Sequence, residues 1–286
     1  MKQLHFMSNT LFGAACAMVA IAITTVATAT EPCGDLGECK ALIEINATDG
    51  DIGFHFLMDG DDLVKSEVRN PEGKKIFKAF AKKELREQFM TETFVESAEP
   101  ACSLAVAEEG DEVVTLEEFL ERWSAGTYEF IGKGEEGETV SGETELLHDI
   151  PAAPASVAFN VGTNVISWAA GNDLGKCATK AELTALFNSN VLPKHPEDVT
   201  VDAWEIVFEP DVDDGEPLGQ LKFTIRVSGD ITVFTPLEVT VPDEYIDSLP
   251  DDTLVKIEVG AIGAEDNATF TEIFDICVNE VERCED

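Results

Sequence analysis

Aspartates, cysteines and histidines are the residues of this chain best equipped for chemistry. Asp49-Gly50-Asp51 and Asp59-Gly60-Asp61-Asp62 bracket one apolar stretch, and Asp211, Asp213 and Asp214 form a third acidic loop. Carboxylates grouped around glycine suit a hard cation, since calcium collects several oxygens at about 2.3–2.6 Å. Asp49, Asp51, Asp59, Asp61 and Asp62 are therefore the candidate metal ligands, with calcium as the ion. Neither loop follows the EF-hand spacing, because the glycine and the closing glutamate are misplaced. The plain alternative is that Asp and Gly simply make turns. The stretch between the two loops reads as a strand about 20 Å long, so each loop would have to hold a cation by itself.

Seven cysteines are present. Cys16 falls in the N-terminal apolar run, which leaves Cys33, Cys39, Cys102, Cys177, Cys277 and Cys284. An even set behind an export leader reads as disulfides. The pairing stays open on sequence; Cys33 with Cys39 and Cys277 with Cys284 are the short-loop choices, and Cys102 with Cys177 would then tie the two halves together. Zinc spacing is missing, since no pair is C-x-x-C. A catalytic nucleophile is missing too: the chain has no G-x-S-x-G elbow, H-E-x-x-H helix, Walker loop or Rossmann glycine fingerprint. His55, His148 and His195 are scattered, and a lone strand histidine reads as a surface or packing residue.

Net charge is −38, from 19 Lys plus Arg against 57 Asp plus Glu. Such a surface repels nucleic acid and anionic lipid. An apolar content of 44% with regular strand patterns argues against disorder. Eight of the 19 basic residues (Lys65, Arg69, Lys74, Lys75, Lys78, Lys82, Lys83 and Arg86) fall between positions 65 and 86. They form either a docking patch for an anionic partner or a solvated edge hairpin whose lysines block sheet-to-sheet pairing.

The positioning elements come next. Lys2, an uncharged run from Thr10 to Ala29 and Ala27-Thr28-Ala29 together read as a cleaved signal peptide over 1–29, with an uncleaved anchor as the rival; no other segment is long and apolar enough to span a bilayer. Residues 41–45, 53–58, 63–69, 74–81, 127–133 and 139–147 read as strands. Asn70-Pro71-Glu72-Gly73 marks a type I turn closing a 63–81 hairpin. Thr115 with Glu118 makes a capping box, Val114 and Phe119 a hydrophobic staple, and Leu116, Phe119, Leu120 and Trp123 a helical stripe that ends at Gly126. Pro151-Ala152-Ala153-Pro154 is a boundary. Beyond it, Trp204, Ile206 and Phe208, then Leu221 to Val227, Leu237 to Val241 and Val255 to Ala261 alternate with period two, the mark of antiparallel sheets with one dry face. A second capping box, Thr179 with Glu182, predicts a helical insertion at 177–200. Asn46-Ala47-Thr48 and Asn267-Ala268-Thr269 match the glycosylation sequon.

The segment Leu249 to Ala261 resembles the fibronectin type III stretch L-x-P-x-T-x-Y-x-V-x-V-x-A, with Leu249, Thr253, Ile257, Val259 and Ala261 in register and Val255 at the tyrosine position. Trp168 matches that family's second-strand tryptophan, and Pro151 to Pro154 its proline-rich entry. The resemblance covers about residues 152–279 and implies a binding or spacer domain. The expected fold is mainly β: an N-terminal immunoglobulin- or transthyretin-like sandwich with one helix over 30–150, and a fibronectin type III-like sandwich with a helical insertion and a disulfide tail over 151–286. The expected function is an exported, non-catalytic binding, adhesion-like or scaffold protein with a protein or glycan ligand, in the periplasm, on the cell surface or outside the cell. The alternative is a secreted metal-dependent hydrolase, or its accessory subunit, using the Asp-rich loops.

Overall fold

The computed structural model describes residues 33–110, 112–213, 215–230, 235–282 and 284. The expected leader and Asp214 lie outside the described residues.

Alternation dictates most of the strands. In the first half these are β1 (Glu38–Asn46), β2 (Asp51–Leu63), β3 (Lys65–Arg69), β4 (Lys75–Phe80), β5 (Met90–Glu96), β6 (Gly126–Lys133) and β7 (Thr139–Leu146), with helices α1 (Glu84–Gln88) and α2 (Leu116–Arg122). The second half contains β8 (Ala155–Asn160), β9 (Val165–Ala169), α3 (Lys180–Asn188), β10 (Val201–Pro210), β11 (Phe223–Ser228), β12 (Glu238–Thr240), α4 (Asp243–Ile246), β13 (Thr253–Gly263) and β14 (Ala268–Val278). The protein is mainly β, as its patterning predicts. Both capping boxes form: the Thr115 and Thr179 hydroxyls each accept from the backbone of the glutamate three residues on, and each glutamate reaches back to its cap. Gly126 does not end α2. Trp123 is its C-cap and Gly126 opens β6, because the strand pairing with β7 already begins there.

Three sheets carry the strands, ordered β11-β10-β13-β14-β1-β2-β5, β12-β9-β8 and β4-β3-β6-β7. The seven-stranded sheet runs through both halves of the sequence. Its seam is the parallel pair β1–β14, with Glu44 opposite Ala268 and Asn46 opposite Phe270. Each half packs a smaller sheet on its own part of this sheet. Phe54, Phe56, Phe119, Tyr128, Phe130 and Leu146 fill the first core, while Trp168, Trp204, Ile206, Phe208, Ile257 and Val259 fill the second. Residues before and after Pro151–Pro154 thus supply most of one core each, while one sheet runs through both.

Side chains lock the seam. The Asn267 side chain is fully buried; its Oδ1 accepts from Ile43 N at 2.8 Å, and its Nδ2 donates to the Leu147 and Asp149 carbonyls at 2.7 and 3.1 Å. Thr269 and Thr271 donate to the Pro151 and Pro154 carbonyls, each at 2.7 Å. The connector between the cores is thereby tied down along its length. Asn267 matches a sequon by sequence, yet in the fold its amide is a structural clasp with no room for a glycan.

The helical insertion belongs to the first core, although it interrupts the second half. Leu174, Cys177, Ala178, Leu183 and Leu192 are buried there, and Cys102–Cys177 staples it with Cα atoms 4.9 Å apart. Gly175, at φ +58°, makes the approach possible: a Cβ would stand 2.3 Å from the Ala47 carbonyl. Cys33–Cys39 and Cys277–Cys284 close loops of six and seven residues.

Of the eight clustered basic residues, Lys65, Arg69 and Lys75 close on Glu67, whose side chain is only 2% exposed. Hydrogen bonds from Lys65 and Lys75 hold the Glu67 carboxyl down at about 2. This end of the patch is engaged with an internal carboxylate, while the Arg69 and Lys75 side chains stay 39% and 43% exposed.

Candidate cation site on the outer face of the sheet

β2 is longer than its apolar stretch predicts. It has 13 residues, because its pairing with β1 continues to Asp59 and its pairing with β5 resumes at Leu63 after a register shift. Asp59, Asp61 and Asp62 therefore lie within the strand and not in a loop after it, with Asp62 at φ +55° where the chain leaves for the second sheet. Asp51 is the first residue of the same strand. At about 3.3 Å per residue, Asp51 and Asp61 are some 30 Å apart, so the two acidic groups do not converge. Asp49 is turned into its own loop, accepting from the Asn46 side chain at 3.2 Å. Asp211 and Asp213 follow β10 at another sheet end.

A different constellation assembles midway. His55 lies opposite Glu96 of β5, and Glu44 of β1 lies opposite Gly53, two residues before His55. Glu99 arrives from the segment after β5. His55 Nδ1 is 4.0 Å from Glu44 Oε2, while its Nε2 is 3.7 Å from Glu99 Oε1 and 3.9 Å from Glu96 Oε1. Donor atoms of Glu44, His55 and Glu99 all lie within 4.8 Å of one another. The His55 side chain is 8% exposed and meets Phe94 edge-on at 6.0 Å. Its Nε2 has no hydrogen-bond partner.

The electrostatics follow from crowding. Burial lifts Glu44 to about 7, with Glu99 and Glu96 adding repulsion and His55 opposing it. Burial raises Asp51 to about 6, helped by Glu99 and Asp49. Burial by itself would lower His55, but contact with Glu99 and the charges of Glu44 and Glu96 outweigh it and the imidazole is raised. Farther along the same sheet, Glu272 sits opposite Glu258, and burial with that neighbour takes it to about 7.

Beside the cluster opens a cavity of about 660 Å³, lined by Asp49, Asp51, Glu99, Arg122, Trp123 and Lys176 among others. Trp123 stacks on Phe54 at 3.9 Å and ties the cavity wall to the first core. The hydroxyl next to the cluster, Ser97, is already committed, accepting from Phe54 N and donating to the Ala98 carbonyl. The arrangement can hold a cation or shuttle a proton. The other two histidines among the described residues are elsewhere: His148 bonds the Trp123 carbonyl at 2.8 Å and His195 rests on Phe187.

Sequence reasoning passes over this group because its members come from three places joined only by strand pairing. Gly53, in mid-strand beside His55, is the one local signal, since glycine inside a strand often marks a close approach.

No family model and no curated protein matches the chain. Three solved structures are similar to it at 10% identity, each over 84% of this chain: a tetra-tandem repeat in the extending region of a large adhesion protein (TM-score 0.24), a biofilm-associated protein BSP domain (0.22) and a structure concerning host cell surface retention of a 1.5-MDa bacterial ice-binding adhesin (0.20). The matches span 50%, 29% and 64% of those chains. Likenesses at these scores carry no argument about function. Among the described residues no helix is long and apolar enough to cross a membrane.

Proposed function

We propose that this chain is an exported, non-catalytic binding or scaffold module that holds two β-sandwich cores in fixed orientation and presents an acidic sheet face to a protein or glycan ligand. The continuity of one seven-stranded sheet through both cores carries the reading. An enzyme working in a cleft between domains gains from a hinge; here parallel strand pairing and the Asn267, Thr269 and Thr271 bonds remove it. Three disulfides fit an oxidising compartment.

The second core supports a fibronectin type III-type module over about 152–279. Its seven strands lie in two facing sheets; Leu249, Thr253, Val255, Ile257, Val259 and Ala261 are all buried, the inward set of the motif. Val255 stands where that family carries its corner tyrosine, and Tyr245 supplies a clasp instead, its hydroxyl meeting the Phe208 carbonyl at 3.1 Å and the Leu221 carbonyl at 2.5 Å.

Because β1 and β14 are parallel neighbours, pulling residue 33 away from residue 284 loads their bonds in shear. Single-molecule pulling between those points tests the spacer role. The expected trace is one high-force rupture that releases both cores; two separate low-force events would defeat the reading, as would hydrolytic turnover that is lost on changing His55.

A further inference from the structure

We propose that His55 Nε2, Glu96 and Glu99 bind one first-row divalent transition ion of the zinc class above Gly53, with Glu44 orienting the imidazole through Nδ1. This goes beyond the binding-module reading and does not rest on it.

Three observations converge. The His55 Nε2 is buried and unpartnered, yet two carboxylate oxygens face it at 3.7 and 3.9 Å. Those gaps are too long for charge-assisted hydrogen bonds, which close to about 2.7–2.9 Å, so an imidazolium held only by its glutamates does not account for the spacing. Tetrahedral zinc with bonds of about 2.0–2.2 Å sets donor atoms about 3.4 Å apart. Glu99, already within 4.8 Å of the His55 donor, reaches this by a small rotation, and Glu96, outside that close group, by a larger swing of its 51% exposed side chain. Second, the space is kept open: a Cβ on Gly53 would stand 2.9 Å from both His55 Nε2 and Glu99 Oε1. Third, Nδ1 has a carboxylate of its own, Glu44, at 4.0 Å; this is too long for a hydrogen bond as it stands, but it places a carboxylate on the side where a metal-ligating histidine characteristically directs its second ring N–H. An imidazole among the donors favours zinc, nickel or copper over calcium and magnesium, which prefer oxygen alone.

The test is zinc and cobalt(II) titration of the full chain by calorimetry and visible absorption, in about 150 mM NaCl to screen diffuse attraction and with millimolar magnesium as competitor. One equivalent should bind despite the magnesium, and cobalt should develop ligand-field bands. His55→Gln and Glu99→Gln should each weaken binding tenfold or more, and Gly53→Ala should do so with every ligand intact. The pair Asp61→Asn and Asp62→Asn, at the far end of β2, should leave it unchanged. Should His55→Gln fail to fold, Glu99→Gln and Gly53→Ala decide. Unaltered affinity in those variants, or zinc uptake erased by magnesium, would overturn the proposal, the latter pointing to diffuse binding on an acidic surface.

Discussion

Asn267→Ala is the sharpest probe of how the two cores are joined. The substitution removes one acceptor and two donors from a residue with no solvent exposure. Ile43 N–H and the Leu147 and Asp149 carbonyls lose their partners, and Ala is too small to exclude or replace them. A buried polar group left unsatisfied costs about 1–3 kcal/mol. Three groups are affected and partial relaxation recovers some of the loss, so the total comes to about 3–5 kcal/mol. Urea unfolding followed by tryptophan fluorescence measures it: with an m-value of about 3 kcal/mol/M for a chain of this size, the midpoint should fall by about 1 M or more. Asn267→Asp should be as damaging, because its second oxygen would face two carbonyl oxygens. A midpoint shift below about 0.3 M for Asn267→Ala would refute the clasp. The same geometry predicts that a host able to glycosylate leaves folded Asn267 unmodified, readable by peptide mass spectrometry.

Further perturbations separate the remaining claims. Replacing Cys102 and Cys177 by alanine opens a bridge of sequence separation 75, worth about 4.5 kcal/mol in loop-closure entropy, against about 2.3 kcal/mol for the seven-residue Cys277–Cys284 loop; chemical denaturation should rank them in that order. Leu183→Ala should cost about 2–4 kcal/mol and destabilise the first core, not the second. The melting temperature should peak near pH 5. Glu272, raised to about 7, holds its proton in the fold while the unfolded chain has lost it, so stability falls as pH climbs from about 4.5 through 7. Glu67, lowered to about 2, works the other way, and its contribution disappears as pH drops below about 4.5. Glu272→Gln should flatten the alkaline arm and Glu67→Gln the acidic one; a scan of melting temperature against pH checks both.

Local physics was legible in the sequence. Alternation at Trp204, Ile206 and Phe208 and from Val255 to Ala261 fixes strand and inward face together, because a pleated strand shows every second side chain to one side. Thr115 with Glu118 and Thr179 with Glu182 announced their helix starts, since a capping box is complete within four residues. Less was visible at α1 and β5, where Met90–Glu96 has no buried residue and so writes little alternation. The end of β2 is hard to read because Asp59, Asp61 and Asp62 look like a turn; pairing at Asp59 and again at Leu63 carries the strand across an irregularity that contains Asp61 and Asp62.

What the sequence settled by itself was the mainly-β class, the helix caps, the acidity and the even cysteine set, all properties of composition or of neighbours a few residues apart. The tertiary structure alone decided that the first strand joins the last, that α3 packs on the core before its own, and that His55 meets Glu44, Glu96 and Glu99. Those outcomes depend on pairing between segments up to about 220 residues apart. No local pattern encodes such a pairing, because a strand edge offers the same row of N–H and C=O groups to every comer, and only the fit of the whole core selects which one docks.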